Sequence, residues 1–220
     1  MAGRPLSAEE CDRLWRAWTP AEVAARLSGT PPCWYVAAGW ALDLFVGGLG
    51  REHSDLEIGV PRERFGEIVG ALPGYEWDVV GDGQVRAFPD AADNHHQTWL
   101  RDPATGRYHL DVFREPHDGD RWVCRRDGSI TLPYDELILR TVDGIPYVIP
   151  EVVLLFKAKS RRAKDEADFL RALPALNEAR RTRLSDWLSR VHPGHPWVDV
   201  CTGCRDFERY PSARAAANRS

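Results

Sequence analysis

The sequence predicts an α/β domain followed by a small helical part, and three observations carry that prediction. Between residues 33 and 148, short runs of alternating apolar and polar residues are bounded by Gly, Pro and Asp-Gly turn signals, the period-two signature of half-buried strands. Apolar residues at helical spacing fall between some of those runs, so helices and strands share one sheet domain. At Pro150 the texture changes to helical patterns alone. These place the sheet domain at 1–148, the helical part at 149–208 and a frayed polar tail at 209–220.

The elements follow in order. Ser7 and Glu10 have capping-box spacing, and Leu6, Cys11, Leu14, Trp15 and Trp18 recur at helical intervals, so a helix is predicted to run through the tryptophans. A short helix over Pro20 to Leu27 has proline in its first turn. Trp34 to Val36 is β-prone, Trp40 to Val46 helical, and Gly47, Gly48 and Gly50 form the loop before the strand "SDLEIGV". Phe65, Ile68, Val69 and Leu72 mark one side of a helix over 62–72. "YEWDVVG" and "GQVRAF" predict strands joined by a tight Gly-Asp-Gly turn, and "HHQTWLRD-PATG-RYHLDVF" a hairpin. Short strands separated by Asp-Gly signals continue to Ile149. "PEVVLLFKAKSRRAKDEADFLRAL" predicts one long helix and "ALNEARRTRLSDWLSRV" another.

Composition narrows the function classes. The net charge of -4 argues against a nucleic-acid-coating protein. No apolar run reaches the roughly 20 residues of a membrane span, and no signal-peptide pattern opens the chain. The five cysteines, Cys11, Cys33, Cys124, Cys201 and Cys204, are odd in number and scattered, which fits a reduced, cytoplasmic protein rather than a disulfide framework.

Chemistry concentrates in carboxylates on strands. Residues two apart in a strand share a face, so Asp55 and Glu57 project together while Leu56 and Ile58 turn to the core. Asp111 in "RYHLDVF" has a similar context, beside the apolar Leu110 and Val112. Adjacent strands would bring three carboxylates together, the ligand set of a two-metal phosphoryl or nucleotidyl transfer site. The same alternation also suits a merely wet strand face.

"AGWALD" (Ala38 to Asp43) and "REHSDLE" (Arg51 to Glu57), followed by "LDVF", "GIPYVIPEVVLLFKAKSRRAKDEADF" and "HPGHPW", resemble in order the signature of the nucleotidyltransferase superfamily. The likeness is strongest to the aminoglycoside 2''-adenylyltransferase and lincosamide nucleotidyltransferase group, over residues 33 to 197. That resemblance implies a mixed sheet flanked by helices with a helical C-terminal part. It makes Gly39 the second glycine of the phosphate-side turn, Asp55 and Glu57 metal ligands, and Asp111 both third carboxylate and general base. It also implies two Mg²⁺ ions, ATP or another NTP as co-substrate, and an antibiotic-like hydroxyl acceptor. Two positions depart from the pattern: Ala38 replaces the first glycine, and Glu57 stands where the nearest enzymes have aspartate.

Further candidates surround this core. Lys157, at the start of a cluster with Lys159, Arg161, Arg162 and Lys164, is placed to neutralise phosphates. Against that stand i,i+4 pairs of Arg161 with Asp165 and Lys164 with Asp168, the pattern of a solvated helix face. Arg51 and His53 are candidates for phosphate contact or for holding the loop. His192, His195, Cys201 and Cys204 are chemically adequate for zinc, but the short spacer and two prolines argue against a structural site. The reading from sequence is a Mg²⁺-dependent nucleotidyltransferase acting on an NTP and a small-molecule hydroxyl. The alternatives are a non-catalytic nucleotide or ligand binder on the same fold, with Ala38 as its support, and a toxin-like enzyme acting on a macromolecule.

Overall fold

The computed structural model describes residues 3–29 and 33–203. They divide into two compact units, one holding the chain up to Trp40 with Glu52–Tyr147, the other Ala41–Arg51 with the chain from Val148. No described helix is long and apolar enough to cross a membrane. Cys204 and the predicted tail lie outside the described residues.

The first unit is built on one mixed sheet. In chain order its elements are β1 (Arg4–Pro5), α1 (Ala8–Leu14), α2 (Pro20–Arg26), β2 (Tyr35–Val36), the start of α3 (Ala38–Val46), β3 (Glu57–Pro61) and α4 (Phe65–Ala71). Then come β4 (Glu76–Gly81), β5 (Gln84–Ala87), β6 (Gln97–Arg101), β7 (Tyr108–Glu115), β8 (His117–Asp118), β9 (Arg121–Val123), β10 (Thr131–Pro133), α5 (Tyr134–Leu137), β11 (Ile138–Arg140) and β12 (Pro146–Val148). Nine strands are ordered β1-β5-β4-β6-β7-β3-β2-β12-β11, and β10-β9-β8 form a small second sheet. The β3–β7 and β2–β12 pairs are parallel, whereas the run from β1 to β7 and the β2–β3 pair are antiparallel.

Local chemistry explains the turns. Ser7 with Glu10 and Thr19 with Glu22 form complete capping boxes at α1 and α2. Asp82 and Gly83 both have positive φ, 53° and 69°, as a two-residue hairpin between right-twisted strands requires. Asp102 closes the β6–β7 turn, accepting from the Ala104 N–H at 2.8 Å and the Thr105 hydroxyl at 2.8 Å. Leu56, Ile58, Val79, Leu100, Leu110 and Val112 are fully buried on one sheet face. Each such side chain contributes about 1.5–3 kcal/mol through burial. The Phe65 ring meets Trp77 edge-on at 5.0 Å, fixing α4 to that face.

One expectation is corrected here. The first helix stops at Leu14 instead of running through the tryptophans. The N–H groups of Arg16 and Trp18 donate instead to the β7 carbonyls of Tyr108 and His109, at 2.8 and 3.0 Å. Trp15 packs on Trp99 and Tyr108, and Trp18 stacks on His109 at 5.3 Å. Burying aromatic rings against the start of β7 outweighs one more helical turn.

The second unit is helical, with the rest of α3, α6 (Pro150–Lys157), α7 (Ala163–Ala172), α8 (Glu178–Val191) and α9 (Trp197–Cys201). Asn177 caps α8 by accepting from the Arg180 N–H at 3.0 Å. Leu154, Leu155, Phe169, Leu184, Leu188 and Trp197 make its core, with Phe169 and Trp197 stacked at 4.2 Å. The long helix predicted from Pro150 is divided: α6 ends at Lys157, and α7 begins only at Ala163. Arg161 sits in the left-handed region at φ 44°, so the break is a change of chain direction.

Candidate active site

The parallel pairing of β3 and β7 sets Glu57 beside Asp111. Glu57 is the register partner of Asp111, and the Asp111 N–H donates to the Leu56 carbonyl at 2.9 Å. Asp55 lies just before β3, close enough for its charge to act on Asp111. The alternation holds along this stretch: Asp55 and Glu57 are half-buried, and Leu56 and Ile58 are fully buried.

Asp111 is the most perturbed group of the cluster. It is 3% exposed, and its carboxyl is pushed up to about 8. Burial is the main cause; the Gln97 hydrogen bond opposes it, and the charge of Asp55 reinforces it. The Gln97 amide donates to Oδ2, whereas Oδ1 is buried with no hydrogen-bond partner. Trp99, opposite Asp111 on β6, brings its indole N–H near enough to favour the ionised form without completing a hydrogen bond. Gln97 was not singled out in the sequence; only the β6–β7 register reveals it.

The neighbouring turn is fixed by the same strands. The Ala37 N–H donates to the Glu57 carbonyl at 2.8 Å, and Ala38 and Gly39 open α3 directly after it. Ala38 adopts φ 49°, the left-handed conformation that favours glycine. His53 stacks on Trp40 at 4.7 Å, a packing contact for one of the candidate phosphate ligands.

Beyond Asp111 on the same strand, the Arg125 guanidinium grips Glu115 through two bonds of 3.0 and 3.2 Å and contacts the His96 ring. Burial, and then the charge of Arg125, push His96 down to about 4, so it is a neutral ring at ordinary pH.

The remaining candidates belong to the second unit. Lys157 Nζ is held by Asp165 at 3.1 Å and Asp168 at 2.8 Å, and Arg51 Nε lies 3.5 Å from Asp168. The predicted i,i+4 pairing is corrected for Arg161: it bonds Glu166 at 2.8 Å, while Arg162 takes Asp165 at 2.7 Å. The chain break before α7 removes the helical spacing on which that pairing relied. Asp43, the last residue of the AGWALD motif and assigned no role from sequence, accepts from the Gly50 N–H at 3.1 Å and from Arg171, whose other nitrogen reaches the Gly48 carbonyl. This clamp fixes the 47–50 glycine loop.

The histidines considered for zinc have other work. His192 Nε2 donates to the Leu155 carbonyl at 3.1 Å, and His195 Nδ1 accepts from the Trp197 N–H at 3.2 Å. Burial pushes the Cys201 thiol up to about 11, away from the thiolate a metal requires.

The oxygen-only set of Asp55, Glu57 and Asp111 fits a hard divalent cation, and the unpartnered buried oxygen of Asp111 is where one would serve. Among the described residues, no three His, Cys, Asp or Glu side chains are already gathered around one point. A Mg²⁺ ion suits that arrangement when one or two carboxylates hold it and phosphate oxygens and water complete the shell.

No family model matches the chain, and no curated protein matches its sequence. Among solved structures it is similar to the lincosamide antibiotic adenylyltransferase LnuA in its lincomycin-bound form. The TM-score is 0.50 at 16% identity, covering 79% of this chain and 100% of that one. It is also similar to the antibiotic-resistance factor ANT(2'')-Ia in solution, with a TM-score of 0.52 at 14% identity over 77% and 89% of the two chains. For ANT(2'')-Ia in complex with adenylyl-2''-tobramycin the TM-score is 0.53 at 14% identity, over 77% of this chain and 95% of that one. The chain has the nucleotidyltransferase fold that its signature implied.

Proposed function

We propose that the protein is a Mg²⁺-dependent nucleotidyltransferase that moves a nucleoside monophosphate from ATP or another NTP to a hydroxyl of a small molecule, with an aminoglycoside-type antibiotic as the suggested acceptor. The observation that carries this reading is the pairing of Glu57 with the buried Asp111, with Asp55 acting on the same carboxyl. The fold likeness to antibiotic adenylyltransferases supports it.

In this reading Asp55, Glu57 and Asp111 hold the divalent cations, which offset charge on the attacking and leaving oxygens. Asp111 accepts the proton of the acceptor hydroxyl. Burial alone favours the protonated carboxyl, so this role belongs to the cation-bound site, where the positive charge would favour the carboxylate form. Gln97 holds one Asp111 oxygen and so keeps the other directed at the reaction. The Ala38–Gly39 turn presents backbone to the phosphates. Lys157 is held by Asp165 and Asp168 and is given no phosphate role in this reading.

The non-catalytic alternative draws on Ala38, whose methyl stands at a turn where the family has glycine. Pyrophosphate release from Mg²⁺·NTP with a panel of aminoglycosides and lincosamides separates the two. A transferase releases it only with an acceptor and loses roughly 10²–10⁴-fold in Asp111→Asn. A binder takes up nucleotide and releases nothing with any acceptor.

A further inference from the structure

On the face of β7 away from Asp111 lies a buried cation with no counter-ion among the described residues. Arg114 is 3% exposed, and its guanidinium donates to the Thr98 hydroxyl at 2.8 Å, the Ala92 carbonyl at 2.8 Å and the His95 carbonyl. A guanidinium carries five N–H donors, so these neutral acceptors leave capacity unspent. No carboxylate of a described residue pairs with it. Burial lowers its pKa, and the charge of Arg62 lowers it further, a sign that two like charges face each other, with the charge of Asp93 opposing them.

Beside it is a cavity of about 360 Å³, lined by Arg62, Arg114, Phe65, Val69, Phe88 and Asp93 among others. That volume lies within the ordinary range for small ligands, and its walls combine apolar surface with a few convergent charges. The Phe65 and Phe88 rings lie 5.7 and 5.8 Å from the Arg114 guanidinium carbon, so the cationic end and the apolar wall are continuous. Two arginines outnumber the single aspartate. A cation buried without an ionic partner is costly, and an anion in this cavity would relieve that cost.

We propose that the Arg62–Arg114 cavity is a binding site for a small organic anion with an apolar body, a carboxylate or phosphate monoester. The anionic head sits between the two guanidinium groups, and the body lies against Phe65, Val69 and Phe88. Alternate strand residues point to opposite faces, so this site is separate from Asp111 and does not depend on the transfer reaction.

The test is titration of the full chain with phenyl phosphate, benzoate and inorganic phosphate, followed by calorimetry. Arg62→Gln removes one cation. Gly66→Leu extends a side chain toward the cavity from α4, starting at a position where an added Cβ meets no atom within 4 Å. Saturable binding of phenyl phosphate, weakened at least about tenfold in both variants and unchanged in Asp111→Asn, supports the site. Absence of saturable binding by every probe overturns it. So does binding that survives both variants, or that is lost in Asp111→Asn while they retain it. Inorganic phosphate binding as tightly as phenyl phosphate would overturn the assigned ligand class.

Discussion

Glu57 and Asp111 are register partners across the parallel strands β3 and β7, and the Asp111 N–H is tied to the carbonyl of Leu56. A one-residue slip would move Glu57 to the core face and Ile58 to the carboxylate face, so the fully buried Ile58 and Val112 hold the register that sets Glu57 beside Asp111. The proposed function would depend on core packing as much as on the carboxylates themselves.

The titration of Asp111 gives a signed prediction for the metal-free protein. Its folded pKa, pushed up to about 8, lies above the roughly 3.9 of an unfolded aspartate, so the folded state holds a proton that the unfolded state has released. The stability from this group is full below about pH 4 and is lost as pH rises through about 8. Asp111→Asn removes the dependence. In EDTA, the melting temperature of the variant minus that of wild type should rise between pH 5 and pH 8.5 by at least about 3 °C, the scale of 1 kcal/mol in a chain of this size. A difference that stays flat across that range would show that Asp111 is ionised throughout.

Ala38 at φ 49° carries strain that glycine would relieve. Ala38→Gly should therefore stabilise the protein by about 0.5–1 kcal/mol, the remainder of the relief being lost to the greater freedom of glycine in the unfolded chain. Ala38→Val should destabilise it, because a β-branched residue tolerates this conformation least. Urea unfolding of the two variants gives the order directly, and Val more stable than Gly would contradict it.

Sequence patterns made some of this legible and left other parts hidden. The capping box at Ser7, the Gly-Asp-Gly hairpin and the β6–β7 hairpin follow from local chemistry, and they appear as predicted. The alternation of Asp55, Leu56, Glu57 and Ile58 was equally local. Gln97 and the pairing of Asp43 with Arg171 were not legible, because each depends on a residue brought near only by folding. Trp15 and Trp18 keep helical spacing while the backbone beside them joins the start of β7, a tertiary choice that periodicity cannot register. The break at Arg161 was hidden for a related reason: apolar residues before and after it fit one helical pattern although the chain turns between them.

The Asp43–Arg171 clamp predicts a local effect. Asp43 is 5% exposed and Arg171 about a quarter exposed, so losing the partner leaves a mostly buried carboxylate. Arg171→Ala should cost about 1–3 kcal/mol, below the full cost of breaking a wholly buried pair because water reaches the arginine. Amide exchange at Gly47 and Gly50, which donate to the Asp43 carbonyl and carboxylate, should accelerate more than exchange in α8. Equal acceleration in both would mean that the loss is global and the clamp has no particular hold on the loop.

The most direct measurement is calorimetric binding of ATP with Mg²⁺ and with EDTA, to wild type, Asp55→Ala and Asp111→Asn. A carboxylate face that holds metal and nucleotide together predicts binding in Mg²⁺ that disappears in EDTA and weakens at least about tenfold in each variant, a loss of roughly 1.4 kcal/mol or more. ATP binding of equal strength with EDTA, or in both variants, would contradict the account and leave the face of β3 a solvated strand.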